Sequence, residues 1–447
     1  MWALNRPQKA RASASAMGTP STSTVSVGMG KTMHQRPRAV TLAGEIRGKV
    51  GDVSARVGVG TSRNRKPELA GREAVRAALE PLGETRPAFV LVFATTGYDQ
   101  QALLAALASE VPPGTPISGC SAAGVITHAG SDEGSHVVGV TAVAAEGLRA
   151  RVLASADARA DATECGRDLA RRIRASGTGD DRIVLLFSEG LRCNAAGVVR
   201  GLEEGLERLL PIVGGCAGDA LTFSETFQYD GAQPRSGAAT ALVLSGDLAA
   251  EVAVGHGCEP FALEEQITRA ENGWVHEIGD RPAWAFFKEY LGELDSLDAL
   301  SISYLCLAQR IEQTARGYGD YVIRVPLELD KESGSLFFPG GLEKGARVHV
   351  ARRRPERIVS NAKTVAMELA ARRERRPDVM LQFDCVGRGR LMFGEATTQR
   401  LIAPVQKAVG GDVPWLGLHT FGEIAPVASQ THFHNFTVAL CALYLGS

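Results

Sequence analysis

No stretch of this 447-residue chain holds the roughly 20 consecutive apolar residues that a membrane-spanning helix needs. The longest apolar runs, such as Phe89 to Phe93 and Ile183 to Phe187, stop within the length of a strand. A soluble protein is expected. Net charge is nearly absent as well: 49 Lys plus Arg against 50 Asp plus Glu leave a formal charge of -1. Such a balance exerts no general pull on nucleic acid or on an anionic membrane, so neither is expected as a partner. Paired cysteines are missing too. Cys120, Cys165, Cys193, Cys216, Cys258, Cys306, Cys385 and Cys441 are scattered singly, with no C-x-x-C among them. A chain this long builds a core without staples, so buried, reduced thiols in a cytoplasmic protein are expected. No acidic residue precedes Glu45, and residues 1–44 are rich in Ser, Thr, Ala and Arg without apolar periodicity. That segment is expected to be a disordered tail, or an over-long start with Met17, Met29 or Met33 as the true initiator. Gly30-Lys31-Thr32 has the ending of a phosphate-binding loop, but the loop's first glycine would fall on Val25. The motif is excluded.

What the chain does contain is ordinary globular material, 45% hydrophobic and 22% charged. Arg56 to Gly60 reads as a strand and Pro67 to Leu82 as a helix with proline in its first turn. An internal repeat follows. Phe89-Val90-Leu91-Val92-Phe93, Ile183-Val184-Leu185-Leu186-Phe187 and Val379-Met380-Leu381-Gln382-Phe383 each open a copy. Each is followed by a turn, a helix, a second apolar run into glycine, a loop and a return strand. The return strands are Val137 to Val143, Ala238 to Leu244 and Phe436 to Tyr444. Strands apolar throughout are buried on both faces, so the expected fold is α/β, with layered sheets covered by helices. Residues 246–375 differ: an aromatic helix (Trp284, Phe286, Phe287, Tyr290), a strand Arg347 to Val350, and a long helix from Glu356 to Arg372. Arg281-Pro282 marks a boundary between a domain at 45–281 and another at 282–447.

Ligands of open α/β sheets sit beyond the carboxyl ends of the strands, and here those segments are glycine-rich in every copy. They read Gly119-Cys120-Ser121-Ala122-Ala123-Gly124, Gly214-Gly215-Cys216-Ala217-Gly218-Asp219 and Phe421-Gly422-Glu423-Ile424. Glycine admits close approach and leaves N–H groups to donate, while Cys, Ser and Ala are small enough to line a hollow. Asp219, Glu423 and Arg388 supply placed charges suited to a zwitterionic, amino-acid-like molecule. These segments, with Phe383-Asp384-Cys385-Val386-Gly387-Arg388 and His434-Asn435-Phe436-Thr437, resemble the motifs of the FIST family. We expand that name as F-box and intracellular signal transduction. The resemblance runs from about residue 56 to the C-terminus and departs from the pattern at Val125, where an acidic residue is expected. It implies a FIST N domain followed by a FIST C domain, and a non-enzymatic intracellular sensor of small ligands. The signal would pass to a separate protein such as a histidine kinase or a chemotaxis component. The expected ligand-binding residues are Gly119, Cys120, Ser121, Gly215, Cys216, Asp219, Arg388, Glu423 and Asn435. The resemblance also implies an alternative, since some relatives bind haem and report nitric oxide.

Sharper motifs compete with plainer readings. Gly214-Gly215-Cys216-Ala217-Gly218 matches a thiol version of the hydrolase elbow, which would make a cysteine-dependent hydrolase or transferase a further alternative. That elbow needs a helix directly after the nucleophile, and residues 219–229 read as loop or strand. His432-x-His434 offers two ligands on one strand face without a third, so no metal site is expected. Non-covalent haem could use His256, His419, His432 or His434. The clusters Arg352-Arg353-Arg354 and Arg372 to Arg376 read as solvated surface. No catalytic residue is expected.

Overall fold

The computed structural model describes residues 55–177, 179–291, 306–315 and 318–446. The expected tail at residues 1–44, with its candidate initiators, lies outside the described residues.

Three six-stranded sheets carry the repeat, and all three have the same plan. The first runs β1 (Arg56–Ser62), β6 (Val138–Ala144), β2 (Phe89–Thr95), β3 (Ile117–Ala122), β10 (Gln228–Asp230), β11 (Gln233–Arg235). The second runs β7 (Leu148–Ser155), β12 (Ala239–Gly246), β8 (Asp181–Ser188), β9 (Ile212–Cys216), β25 (Glu423–Val427), β26 (Gln430–His434). The third runs β13 (Leu248–Gly255), β27 (Val438–Leu445), β23 (Val379–Cys385), β24 (Trp415–Thr420), β4 (Gly124–Thr127), β5 (Gly130–Asp132). In each sheet the two central strands are parallel, and their neighbours are antiparallel. The last two strands of every sheet form a hairpin lent by another repeat. The second repeat gives β10–β11 to the first sheet, the third gives β25–β26 to the second, and the first gives β4–β5 to the third. The exchange closes a ring.

Each opening strand is apolar on both sides because each has two cores to serve. Leu91 and Phe93, Leu185 and Phe187, and Leu381 and Phe383 point inward into one shared core. Their alternates point outward: Val90 and Val92 meet one helical layer, Val184 and Leu186 a second, and Met380 a third. Those layers are α1 (Pro67–Leu79) with α2 (Gln100–Ala108), α3 (Ala162–Ser176) with α4 (Ala195–Leu206), and the helices Pro355–Ala370 and Ala403–Val409. Side-chain caps start three of them: Asp99 accepts from the Ala102 amide, Asp161 from Glu164 and Asn194 from Gly197. The edge strands β1, β7 and β13, each leading to a helix, belong to the repeat, so every copy begins earlier than its first apolar run.

Residues 259–352 are inserted between β13 and the helix Pro355–Ala370. Where sequence reading expects one helix and one strand, the structure has a sheet of nine short strands. They are β14 (Glu259–Pro260), β15 (Glu265–Glu271), β16 (Trp274–Ile278), β17 (Arg281–Pro282), β18 (Cys306–Ala315), β19 (Gly319–Arg324), β20 (Glu328–Asp330), β21 (Ser335–Phe337) and β22 (Arg347–Arg352). Their half-polar pattern, such as Glu-Gln-Ile-Thr-Arg-Ala-Glu in β15, offers little apolar signal because one face is solvated. The aromatic helix α5 (Ala283–Leu291) buries Phe286 and Phe287 against this sheet. Among the described residues no helix is long and apolar enough to cross a membrane.

Candidate functional site

The glycine-rich segments expected to be loops are mostly strand, and they meet at the centre of the ring. Gly119, Cys120 and Ser121 lie in β3, Gly215 and Cys216 in β9, and Glu423 opens β25. Backbone bonds tie the three repeats together there. The Cys216 amide donates to the Gly422 carbonyl at 2.7 Å, Gly218 to Ser121 at 3.0 Å, and Ala123 to His419 at 3.0 Å. Gly119 opposes Val92 with φ of 139°, and a Cβ there would fall 1.8 Å from the Val92 carbonyl oxygen. Val125, where an acid was expected, packs into the shared core.

Cys120, Cys216, Arg388 and Glu423 are therefore brought to one region, but as a packed junction. All four are at most 1% exposed. Burial pushes the thiols of Cys120 and Cys216 well above their ordinary range, which disfavours the thiolate that nucleophilic chemistry needs. No helix follows Cys216, so the elbow is not formed. Glu423 accepts from the Thr420 hydroxyl on one oxygen, and from the Thr437 amide (3.1 Å) and hydroxyl (2.7 Å) on the other. Burial nevertheless raises its pKa to about 8, with nearby Asp384 adding to the rise. Arg388 Nε donates to Asp384 Oδ1 at 2.8 Å in an ion pair closed to solvent. Asn435 turns to the insertion and accepts from the Val325 amide at 3.0 Å.

An open groove of about 570 Å³ lies beyond the carboxyl end of β2, between the first and second repeats. One side is the turn Thr96-Gly97-Tyr98-Asp99-Gln100-Gln101 with Ser135; the other is Ala220, Thr222, Ser224, Glu225, Phe227 and Pro234 from the second repeat. Ser121 and Asp219 hold the second wall in place. Ser121 Oγ donates to the Gly218 carbonyl at 2.8 Å and accepts from the Phe227 amide at 3.0 Å. Asp219 gathers the amides of Thr222, Phe223 and Ser224 and the Thr222 hydroxyl. That stabilises a turn in which Leu221 and Phe223 adopt positive φ. The Tyr98 hydroxyl, buried at the groove, has no hydrogen-bond partner among the described residues. The lining carries Asp99 and Glu225 and neither lysine nor arginine, so its charge is acidic. Sequence reading places a turn after Phe89 to Phe93 but assigns it no role; the exposed Glu225 carries no motif.

Haem ligation needs an imidazole nitrogen with a free lone pair. His434 has both nitrogens engaged: Nε2 with the Ala425 carbonyl at 3.0 Å and Nδ1 with the Tyr318 hydroxyl at 2.7 Å. His256 Nδ1 accepts the Cys258 amide at 2.9 Å, which puts the proton of the neutral ring on Nε2. His419 Nε2 meets Ser131 Oγ at 2.8 Å, leaving a wholly buried Nδ1. His432 Nε2 has no partner among the described residues, and burial lowers its pKa to about 4, so its ring is neutral. Of the four, His432 is the least enclosed residue with an unengaged nitrogen, although that Nε2 is itself buried. No group of three or more metal-binding side chains occurs among the described residues. The basic clusters are ion-paired surface: Arg352 and Arg354 reach Glu259, and Arg372 and Arg373 reach Glu251.

Taken together, these features define a strand-exchanged α/β protein of three repeats with one inserted sheet. Residues 88–281 match the FIST N domain and residues 283–426 the FIST C domain, and the chain belongs to the FIST family. FIST domains are sensory domains of signal transduction. The F-box part of the expanded name is wrong, since both matched models are FIST domains. An uncharacterized protein of Mycobacterium tuberculosis is 28% identical over 399 residues, covering 86% of this chain and 98% of the relative. An uncharacterized protein of Mycobacterium bovis is 29% identical over 190 residues, 42% of this chain and 48% of its own length. Among solved structures, a chorismatase aligns over 88% of this chain and 100% of its own, at 11% identity and a TM-score of 0.34. A cyanuric acid hydrolase from A. caulinodans aligns over 87% and 99%, at 11% identity and a TM-score of 0.35.

Proposed function

We propose that the chain is a small-ligand sensor that binds a polar, amino-acid-like molecule in the groove between its first and second repeats. It acts by binding rather than turnover. The observation that carries this reading is the groove's dual ownership: its floor turn follows β2 of the first repeat, and its facing wall is lent by the second. A ligand spanning both walls favours one arrangement of the two repeats, which is the differential affinity that signalling requires. The acidic lining selects the ammonium end of such a ligand, with Asp99 and Glu225 as partners and the Tyr98 hydroxyl as a further hydrogen-bonding group. The signal passes to a separate partner, such as a histidine kinase or a chemotaxis component. Eight buried, unpaired thiols suit a reducing cytoplasm.

A thermal-shift screen of the full-length protein against amino acids and small amines tests the reading. At about a hundredfold excess over Kd a true ligand stabilises by roughly 2.7 kcal/mol. A set of amines and amino acids that leaves the midpoint unmoved sinks it. A second reading, haem binding, has His432 in its favour; a Soret band that disappears in His432→Ala would establish it.

A further inference from the structure

The helical layer of the third repeat departs from the other two. In the first repeat Gly71 of α1 meets α2 so closely that a Cβ would fall 2.6 Å from the Leu103 carbonyl oxygen. In the second, Gly166 of α3 and Gly201 of α4 press still closer on the Val198 and Thr163 carbonyls of the facing helix. Glycine lets these helix pairs touch backbone to backbone. The helix Pro355–Ala370 of the third repeat has no glycine. Its neighbour Ala403–Val409 is preceded by a π turn, Thr398–Ile402. Pro404 has no N–H to give the Arg400 carbonyl, and its ring crowds that oxygen, which accounts for the widened turn.

A groove of about 490 Å³ runs along the long helix. Glu356, Val359, Ser360, Lys363, Thr364 and Met367 line it from one helix face about three turns long, and Arg400 of the π turn lines it from outside that helix. Every lining residue but Val359 is exposed. A small-molecule site encloses most of its ligand, so this open face suits a macromolecule. No aromatic ring lines it for the stacking of bases. Its charge is unusual for this protein. Every arginine of α1, α3 and α4 has a carboxylate partner, such as Glu110 for Arg72 and Arg76, and Asp168 for Arg172. Lys363 and Arg400 meet no carboxylate among the described residues, and Arg400 is held over the Phe393 ring at 5.0 Å. Glu356 sits in the first turn of its helix, where the helix dipole offsets its charge. The groove therefore presents two unmet cations beside two apolar side chains, Val359 and Met367.

We propose that this groove docks an acidic amphipathic helix of a separate protein. Carboxylates of that helix pair with Lys363 and Arg400, and its apolar side chains pack on Val359 and the adaptable Met367. The π turn is also tied to the first repeat. Thr398 Oγ1 accepts from the Ser131 amide of β5 at 3.0 Å. Four residues on, Ser135 lines the groove at β2, and its carbonyl accepts from Thr95 Oγ1 at 2.9 Å. One short segment thus joins the two grooves. That the docked protein receives the ligand signal rests on the sensor reading above; the docking itself does not.

The full-length protein, without added ligand, is panned against a library of randomised helical peptides, and fluorescence anisotropy gives the affinities of those selected. Enriched peptides are expected to be acidic with one apolar face. They should bind at least about tenfold more weakly to the double variant Lys363→Glu, Arg400→Glu. Met367→Ala, which keeps every charge, should weaken them as well, and it decides alone if the double variant does not fold. The proposal is overturned if no acidic peptide is enriched, or if the folded variants bind the enriched peptides as tightly as the native chain. Two other occupants would also overturn it. Self-association in sedimentation that the charge reversals abolish would give the groove to a second copy. Flotation with phosphatidylserine vesicles that they abolish would give it to a membrane surface.

Discussion

The ring of Phe93 meets that of Phe187 edge to face, with centroids 5.7 Å apart. Phe383 stands 6.4 Å from the first and 6.3 Å from the second, so one phenylalanine from each repeat closes a triangle at the heart of the ring. All three rings are fully buried. Phe187→Ala should cost about 3–5 kcal/mol, and Phe187→Leu should cost less because most of the volume is kept. Urea unfolding of the three proteins measures both.

Gly119 and Gly231 both have positive φ, at 139° and 65°, but differ in surroundings. A methyl group on Gly119 collides with the Val92 carbonyl, whereas nothing lies within 4 Å of one on Gly231. Gly119→Ala should fail to yield folded protein. Gly231→Ala should fold with a loss of about 1–2 kcal/mol, the cost of a left-handed L-residue. Soluble yield and thermal midpoint separate the two.

The raised pKa of Glu423 has a definite sign in stability. The folded state holds this proton up to about pH 8, while the unfolded carboxyl gives it up near its ordinary value of 4.5. Its contribution is complete below pH 4.5 and is lost as pH rises toward 8. His256 and His432, both lowered to about 4, act the other way, losing stability as pH falls below 6.5. Between pH 6.5 and 8 the carboxyl should dominate, with a slope of no more than about 1.4 kcal/mol per pH unit from one proton. Glu423→Gln should flatten that limb, as followed by denaturant midpoints across pH.

Two groove substitutions probe ligand recognition: Glu225 is exposed, and Tyr98→Phe keeps the ring that packs into the first helical layer. Glu225→Gln should weaken binding of an amine ligand about tenfold by removing a charge partner, and Tyr98→Phe should weaken it less. Neither should move the midpoint of the unliganded protein by more than about 1 kcal/mol equivalent. Calorimetric titration and a thermal scan of each variant give the answer.

All eight cysteines are unpaired and buried. Thiol reagents should label almost none of them in the native state, and all eight after denaturation, with no change on adding reductant. A fast-reacting native thiol would contradict the packing.

The opening strands are legible in the sequence because they bury both faces: Phe89 to Phe93 has no polar residue to hide its direction. The edge strands are not. β7 carries Arg149 and Arg151, and β13 carries Glu251, so neither shows an apolar run. The insertion then separates β13 from its helix, which disguises the third copy further. Gly119 to Ala122 and Gly214 to Cys216 read as loops because small residues favour strands weakly; pairing on both sides overrides that preference. At the site, residue type marks Ser121 and Asp219 as polar and placed, but it does not tell a ligand contact from a loop anchor. Both hydrogen-bond the wall of the groove. Tyr98 and Glu225 escape because nothing in their neighbours distinguishes them from ordinary turn residues.

The borrowed hairpins also govern how the molecule is made. Gly124 to Thr127 are synthesised early, yet the strand they pair with, Leu416 to His419, leaves the ribosome only after the second repeat and the insertion. Until then the first repeat carries an unmatched ribbon, and the third sheet has no outer edge. Assembly must therefore wait for the third repeat. A nascent chain stalled before residue 415 would present open strand edges to chaperones and to other nascent chains.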